Sequence, residues 1–164
     1  MRAPVVVIAV GNPSRGDDAI GPALAARLER EDLPGVEVIV DYQLQVEHAL
    51  DLEDRQLAVF VDAAVDCAGP LEVRPLEPCR DASHTTHALS PAAVLETCFR
   101  ITGQPPPPAC ALAVRGVQFG LGDGLSHEAR RNLEAAWPVV LQLVRNGERG
   151  KPPRSPSRAG PRKG

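Results

Sequence analysis

The amino-acid sequence predicts an α/β protein: a three-layer α/β/α sandwich around a mostly parallel, twisted sheet of about five strands, with one edge strand free to run antiparallel. Three observations support this prediction. Short apolar runs rich in β-branched residues recur along the chain, as in strands that are buried on both faces. Segments with apolar residues at helical spacing separate these runs. Turn residues follow directly after the first run.

The first unit begins with the apolar run at residues 5–10, which predicts a buried strand. Gly11-Asn12-Pro13 then provides the residues of a turn. A helix is predicted at 19–30, because apolar residues recur every four positions from Ile20 to Leu28. A strand, a glycine-bearing loop and a helix form the opening of an α/β unit, and such a loop borders a ligand crevice.

The rest of the chain continues this alternation. Further strands are predicted at 36–41, 57–61, 71–76 and 109–114. The segment 71–76 alternates apolar and polar residues and contains Pro75, as is typical of an edge strand. Helices are predicted at 46–53, at 90–102 and from Ser126 onward. The polar stretch 77–88 has no periodicity, and 116–124 is a glycine-rich loop.

The composition indicates one domain with a charged tail. The chain has 164 residues and a net charge of −3. Residues 149–164 contain six basic residues and no acidic one, which leaves 12 basic and 21 acidic residues in the remainder. We therefore expect a single α/β domain at 1–147 and a disordered basic tail, rich in Pro, Ser and Gly, at 148–164. The acidic body argues against nucleic acid as the ligand.

Neither membrane insertion nor secretion is predicted. No apolar run reaches the length of a membrane span, and the first strand follows Met1-Arg2-Ala3-Pro4 without space for a signal peptide. The four cysteines have no CxxC spacing and no close histidine that would complete a zinc pattern. We expect a cytoplasmic protein with reduced thiols, two of them in the core.

Two acidic residues mark a candidate site. Asp18 lies in the loop after the first strand, and Asp62 follows the apolar run at 57–61. Because the carboxyl ends of parallel strands meet at one edge of a sheet, we expect these carboxylates to lie close together. A histidine from 77–88 would complete a set of two oxygen ligands and one nitrogen ligand, which suits nickel, zinc or iron. The same groups could equally deprotonate a water molecule for hydrolysis.

Other residues near this edge have more ordinary interpretations. Asp18 could be only a helix cap, and Asp17 is interpreted as its solvated neighbour or as the cap itself. His48 and His127 are interpreted as surface residues of helices. Candidates for substrate binding at the rim are Gln43, Glu47 and Gly120. An ordinary polar connection and an ordinary glycine-rich loop would have the same composition.

At these residues the sequence resembles the hydrogenase maturation proteases. The opening of that family is a strand followed by Gly-Asn and an acidic pair before a glycine, and it corresponds here to residues 10–21 with Asp17-Asp18 as the pair. The family's second acidic residue, at the end of an apolar strand, corresponds to Asp62. Its histidine, just before a helix, corresponds to His87. The match in order and spacing covers residues 5–144.

The resemblance implies an endopeptidase, of aspartic or metal-assisted type, that removes the C-terminal extension of a nickel–iron hydrogenase large-subunit precursor. It implies that Asp18, Asp62 and His87 contact nickel, which the precursor carries and which serves as the recognition signal. It also implies that Asp18 or Asp62 is the general base toward a water molecule. No organic cofactor and a monomeric enzyme are further implications.

Two other functions fit parts of the sequence. A peptidyl-tRNA hydrolase-like enzyme also opens with a strand ending in Gly-Asn-Pro. That function requires a histidine soon after the opening loop and a basic surface, whereas the first histidine here is His48 and the body is acidic. A non-catalytic nickel-binding maturation chaperone would keep the same ligands without cutting, and the sequence alone does not separate it from a protease.

Overall fold

The computed structural model of the chain describes residues 2–80 and 89–148. In these ranges strands and helices alternate, as the sequence predicts. The strands are β1 Val5–Val10, β2 Val36–Asp41, β3 Leu57–Ala64, β4 Leu71–Leu76 and β5 Ala109–Arg115. The α-helices are α1 Ile20–Glu31, α2 Pro91–Thr102 and α3 His127–Glu148, and the 3₁₀ helices are Gly16–Ala19 and Val46–Leu52.

The five strands form one sheet in the order β2-β1-β3-β5-β4. β1 pairs in parallel with β2 and β3, and β3 pairs in parallel with β5. β4 lies at the edge and pairs antiparallel with β5. This confirms the predicted mostly parallel sheet and its antiparallel edge strand. Pro75 fits that edge position, because a proline cannot donate a hydrogen bond to a second neighbour.

Helices cover both faces of the sheet, which makes the predicted three layers. On one face α1 and α3 bury a cluster that includes Val5, Val7, Ile20, Leu24, Leu28, Val59, Val61 and Val140. On the other face α2 and the 3₁₀ helix Val46–Leu52 bury Val6, Ile8, Leu52, Phe60, Val94 and Leu95. Alternate strand residues point to opposite faces, so one strand supplies both clusters. Each fully buried Val, Leu or Ile side chain stabilises the fold by about 1.5–3 kcal/mol.

Helices α1 and α3 also contact each other beside the sheet. The Arg27 guanidinium lies 4.4 Å from the centroid of the Trp137 ring. Arg27 Nη1 donates a hydrogen bond to the Glu134 carboxylate at 2.8 Å. A cation over an indole ring contributes about 0.5–1 kcal/mol at an exposed site, and a surface ion pair contributes a similar amount or less. Trp137 is the single tryptophan of the chain.

Three details differ from the predictions. The first helical segment starts as the 3₁₀ helix Gly16–Ala19, so α1 begins at Ile20. The predicted short helix at 46–53 is a 3₁₀ helix that ends at Leu52. β3 continues to Ala64 because residues 62–64 pair with 113–115 of β5. Asp62 therefore lies inside the strand rather than after it.

The remaining predictions concern the N-cap of α2, the burial of the cysteines, the absence of a membrane-spanning segment and the basic tail. Ser90 Oγ accepts a hydrogen bond from the Ala93 N–H at 3.1 Å, which makes it the predicted N-cap of α2. Cys67, Cys98 and Cys110 are buried, so three thiols rather than two lie in the core. None of the helices in the described ranges combines the length and apolar character needed to cross a membrane. Residues 149–164 of the predicted tail lie outside the described ranges.

Candidate active site

The carboxyl ends of β1 and β3 border a crevice. The chain leaving β1 continues into α1 on one face of the sheet, whereas the chain after β3 leads by way of β4 to α2 on the other face. Because these connections diverge, the crevice lies at a topological switch point, where open α/β sheets bind ligands. A cavity of about 830 Å³ lies there, and Asp18 and Asp62 both line it. The structure thus brings these two carboxylates to one cavity.

The turn after β1 holds Asp18. Its Oδ2 accepts a hydrogen bond from the Asn12 backbone N–H at 2.7 Å. Gly11 has a φ of +151°, and a Cβ atom at this position would collide with the Asp18 carbonyl oxygen. Only glycine allows β1 and the Asp18 backbone to approach this closely. The N-cap position of α1 is Ala19, so Asp18 is not the cap of that helix.

Asp17 is buried rather than solvated, which corrects the interpretation from the sequence. Its side chain has no exposed surface. Oδ2 accepts hydrogen bonds from the backbone N–H groups of Val117 and Gln118 at 2.8 and 3.0 Å. The Ser126 N–H and hydroxyl donate to Oδ1 and Oδ2, each at 2.8 Å. Burial alone would raise the pKa of Asp17, but these bonds stabilise the anion and hold the pKa below its usual value.

Backbone hydrogen bonds join the same two loops. The Asp17 N–H donates to the Gln118 carbonyl at 2.7 Å, the Gly16 N–H to the Asp123 carbonyl at 3.1 Å, and the Gly122 N–H to the Ser14 carbonyl at 2.8 Å. Gly16 has a φ of +55°, and a Cβ atom there would collide with the Gln118 carbonyl. Hydrogen bonds at several positions therefore hold the loop that carries Asp18 against the loop between β5 and α3.

Asp62 lies on the opposite side of the crevice, near the end of β3. It stands opposite Ala113 of β5 and on the same sheet face as Phe60. Its side chain is exposed on the cavity side, while protein surrounds it on the others. This desolvation, reinforced by the negative charge of Asp18, raises the pKa of Asp62 to about 7 despite a hydrogen bond from the Ala63 N–H. Such a carboxyl group can accept or donate a proton near neutral pH.

Of the other predicted site residues in the described ranges, only one lines the cavity. Gln43 lines the cavity. Glu47 and Gly120 are exposed and are not among the residues that line it. His87 lies outside the described ranges, which resume at Leu89, itself a lining residue. Within residues 2–80 and 89–148, no three His, Cys, Asp or Glu side chains are grouped closely enough to hold a metal ion.

The sequence patterns did not indicate the apolar rim of the cavity. Tyr42 and Val65 line the cavity, yet 70% and 72% of their surfaces are exposed. Tyr42 directly follows β2, and Val65 directly follows β3. The available signal was a large apolar residue immediately after each of two strand ends at the same edge of the sheet.

His48 is also buried, with 5% of its surface exposed, which corrects its interpretation as a surface residue. Its Nδ1 accepts a hydrogen bond from the Gln45 N–H at 2.8 Å. Its Nε2 lies 3.4 Å from Asp41 Oδ2. Because Nδ1 is the acceptor, Nε2 carries the proton that faces Asp41. These contacts fold the connection 42–45 back onto the end of β2.

The charges around the cavity are mostly negative. Asp18, Asp62 and Asp66 line it together with Arg74. The Arg74 guanidinium lies 2.8 Å from the Glu72 carboxylate and 3.9 Å from that of Asp66. Its positive charge is therefore already matched by neighbouring acids. A cavity of this kind favours a ligand that is positively charged or that carries a metal ion.

Comparison with known proteins identifies solved structures that are similar to this chain. No family model and no curated protein matches the chain. Among solved structures, it is similar to the hydrogenase maturating endopeptidase HybD from E. coli, with 25% identity, 89% of this chain and 93% of that chain covered, and a TM-score of 0.70. The hydrogenase 2 maturation peptidase from a Thaumarchaeota archaeon is 25% identical, with 88% and 98% covered and a TM-score of 0.62. The [NiFe] hydrogenase maturation protease HycI from Thermococcus kodakarensis shares the fold, with 24% identity, 88% and 94% covered and a TM-score of 0.65.

These similarities agree with the features of the chain itself. The similarity to the E. coli endopeptidase extends over most of both chains. The acidic crevice lies between the strand ends where Asp18 and Asp62, the first two residues of the resemblance, are found. The chain therefore has the α/β fold of the solved hydrogenase maturation proteases to which it is similar, and this similarity supports a hydrolase of the peptidase class.

Proposed function

We propose that this protein is an endopeptidase that removes the C-terminal extension of a nickel–iron hydrogenase large-subunit precursor. It acts as a cytoplasmic monomer and uses nickel already held by the precursor as its recognition signal. The observation that carries the proposal is the convergence of Asp18 and Asp62, from two different strand ends, on one cavity. Similar structures are named as hydrogenase maturation peptidases, which supports the substrate class.

Nickel belongs to the substrate in this proposal. Asp18 and Asp62 supply carboxylate oxygens, and His87 supplies an imidazole nitrogen, a set that suits a borderline divalent ion. Leu89 lines the cavity, and its N–H donates to the Leu44 carbonyl at 3.4 Å. His87 precedes Leu89 by two residues, a stretch of chain that spans at most about 7 Å. This proximity along the chain favours His87 over His84 as the nitrogen ligand.

Cutting the peptide bond requires an activated water molecule. No cysteine lines the cavity within the described ranges, and the Ser90 hydroxyl is the N-cap of α2. The water oxygen attacks the carbonyl carbon while one carboxylate accepts its proton, and a proton is delivered to the amide nitrogen as the C–N bond breaks. The raised pKa of Asp62 suits this residue to proton transfer in either direction. Nickel held by the precursor, contacted by Asp18 and Asp62, would supply a Lewis acid beside the bond to be cut.

The test is the trimming of a purified precursor. The full chain is incubated with nickel-loaded large-subunit precursor and, in parallel, with nickel-free precursor, and the shortened subunit is detected by its mobility and mass. We expect trimming only with nickel. Asp18→Asn, Asp62→Asn and His87→Ala should each slow trimming by at least about 100-fold, the usual contribution of a group that transfers protons.

Matched controls separate these roles from loss of the fold. Asp66→Asn removes another carboxylate that lines the cavity, and His84→Ala removes the other histidine of the same polar stretch. Both controls should trim at the wild-type rate, and all variants should keep the wild-type circular dichroism spectrum. Unimpaired trimming by Asp62→Asn would remove that residue from the mechanism. A wild-type chain that binds the nickel-loaded precursor without cutting it would instead be a maturation chaperone.

A further inference from the structure

Asp17 joins two segments of the chain that both reach the cavity. Asp18, which lines the cavity, directly follows Asp17, and Phe119, another lining residue, directly follows Gln118. The Asp17 N–H donates to the Gln118 carbonyl at 2.7 Å, and the Gln118 N–H donates to Asp17 Oδ2 at 3.0 Å. A Cβ atom at Gly116 would lie 2.9 Å from Asp17 Cβ and 2.8 Å from Phe119 Cζ, so both side chains pack closely against this loop. The backbone that carries Asp18 is therefore held against part of the cavity wall.

The hydrogen bonds to the Asp17 side chain require a carboxylate. Its partners, three backbone N–H groups and the Ser126 hydroxyl, all donate. The Ser126 N–H faces Oδ1, whereas the N–H groups of Val117 and Gln118 face Oδ2. The NH₂ group of an asparagine can only donate, so in either orientation of the amide it would face at least one backbone N–H. A neutral side chain of the same shape therefore cannot keep the whole set of bonds.

Asp18 depends on this anchor because its own contacts lie within the turn after β1. Its Oδ2 accepts a hydrogen bond from the Asn12 N–H at 2.7 Å, and its N–H donates to the Arg15 carbonyl at 3.1 Å. These bonds shape the turn but do not join it to another part of the fold. The bonds between Asp17 and the loop from β5 to α3 do so, one residue before Asp18.

We propose, on the basis of the proposed function, that Asp17 is a positioning residue for the cleavage reaction: its buried carboxylate holds the Asp18 carboxylate in place at the cavity. Asp17 has no exposed surface and is not a lining residue. It therefore acts through Asp18 and touches no reacting atom. A displacement of about 1 Å in a reacting group can slow an enzyme about 100-fold, so a loosened turn should slow trimming while the chain remains folded.

The test compares two destabilising variants, of which only one changes the anchor. Asp17→Asn alters the bonds to the loop, whereas the control, Val140→Ala, truncates a fully buried side chain of α3 that does not line the cavity. Trimming of the nickel-loaded precursor is measured under single-turnover conditions, at a temperature where both variants keep the wild-type circular dichroism spectrum. Asp17→Asn should slow trimming at least about tenfold, and Val140→Ala should trim at the wild-type rate. Ser126→Ala removes only the hydroxyl donor; it replaces Asp17→Asn if that variant does not fold, and should slow trimming about threefold.

A double-mutant cycle tests whether Asp17 acts through Asp18. Adding Asp17→Asn to Asp18→Asn should slow the residual trimming by less than about twofold, because no carboxylate is left to position. A merely structural role would slow trimming equally in both backgrounds.

The amide proton of Asn12 provides a readout that needs no precursor. This N–H bonds to Asp18 Oδ2, so its nuclear magnetic resonance signal reports the position of that carboxylate in the folded chain. The signal should move upfield in Asp17→Asn as the hydrogen bond weakens, and it should keep its wild-type position in Val140→Ala. An unchanged signal in Asp17→Asn would overturn the positioning role.

The outcomes separate this role from the proposed function. A wild-type chain that leaves the nickel-loaded precursor uncut overturns the proposed function, and the Asn12 signal then still decides whether Asp17 holds the Asp18 carboxylate. A wild-type chain that cuts, alongside an Asp17→Asn variant that trims as fast as Val140→Ala, leaves the proposed function intact and overturns the positioning role alone. Equal slowing by Asp17→Asn with and without Asp18→Asn has the same consequence.

Discussion

Replacing Asp17 by alanine should destabilise the protein by about 3–5 kcal/mol, although Asp17 takes no part in the proposed chemistry. The carboxylate accepts four hydrogen bonds from the loop between β5 and α3. Hydrogen bonds to a charged group stabilise by about 1.5–3 kcal/mol each. Val117 and Gln118 are exposed, so water can satisfy their N–H groups in the variant, and the net loss is smaller than the sum. A loss of this size is a large fraction of a typical domain stability of about 5–15 kcal/mol.

The effect should depend on pH in a defined direction. The pKa of Asp17 is lowered in the folded state, so the carboxylate stabilises the fold fully above its unfolded pKa of about 3.9. This contribution is lost as the pH falls through the lower, folded pKa. The difference between wild type and Asp17→Asn, a variant that preserves the shape but not the charge, should therefore be largest near pH 7 and shrink in acid.

The assay is urea unfolding followed by circular dichroism, at pH 7 and at several acidic pH values. Asp66→Asn is the matched control, because the Asp66 side chain is 76% exposed and lies 3.9 Å from its only ion-pair partner in the described ranges. That control should change the free energy of unfolding by less than about 0.5 kcal/mol. An Asp17→Ala variant as stable as this control, or a loss that persists unchanged in acid, would refute the reasoning.

Two further predictions concern the crevice. Gly11→Ala should lower the free energy of unfolding by about 2–3 kcal/mol, because the new Cβ meets the Asp18 carbonyl oxygen at a positive φ. The control is Gly124→Ala, whose Cβ meets no atom within 4 Å. Equal melting temperatures for the two variants would contradict the prediction. The pKa of Asp62 is raised to about 7, so the ionised side chain destabilises the metal-free fold as the pH rises from about 4 through 7. The Asp62→Asn variant should therefore have a melting temperature about 2–4 °C above that of the wild type at pH 8, a shift that is reduced to allow for the exposure of this side chain. At pH 4 the two proteins should have the same melting temperature. A melting difference that is the same at both pH values would contradict the assigned pKa.

The sheet was predictable because its central strands are buried on both faces. β1 is buried at all six positions, so its apolar run is uninterrupted and its prediction needed no other part of the chain. Pro75 similarly marks the edge strand by its own chemistry. The extension of β3 to Ala64 was not predictable in this way, since it depends on pairing with β5, about 50 residues further along the chain.

The site was predictable only in part, for the same reason. Asp18 lies in the connection that follows β1, and Asp62 lies near the end of β3. Topology alone brings residues at such positions to one edge of the sheet. Asp17 and His48 were misinterpreted because the groups that bury them are distant or unpatterned: the loop that covers Asp17 is 100 positions away at Val117, and the partner of His48 is Asp41, at the end of the preceding strand. Tyr42 and Val65 can be recognised as residues of one cavity only from the order of the strands, in which β2 and β3 lie on either side of β1.

The contact between Arg27 and Trp137 gives the protein a built-in optical probe. Trp137 is the only indole in the chain, and it lies where α1 meets α3, on the sheet face opposite α2. Its emission should shift when these two helices separate and stay constant when a small cation is titrated into the crevice. Unfolding and ligand binding can therefore be followed independently in the same sample, the first by fluorescence and the second by calorimetry.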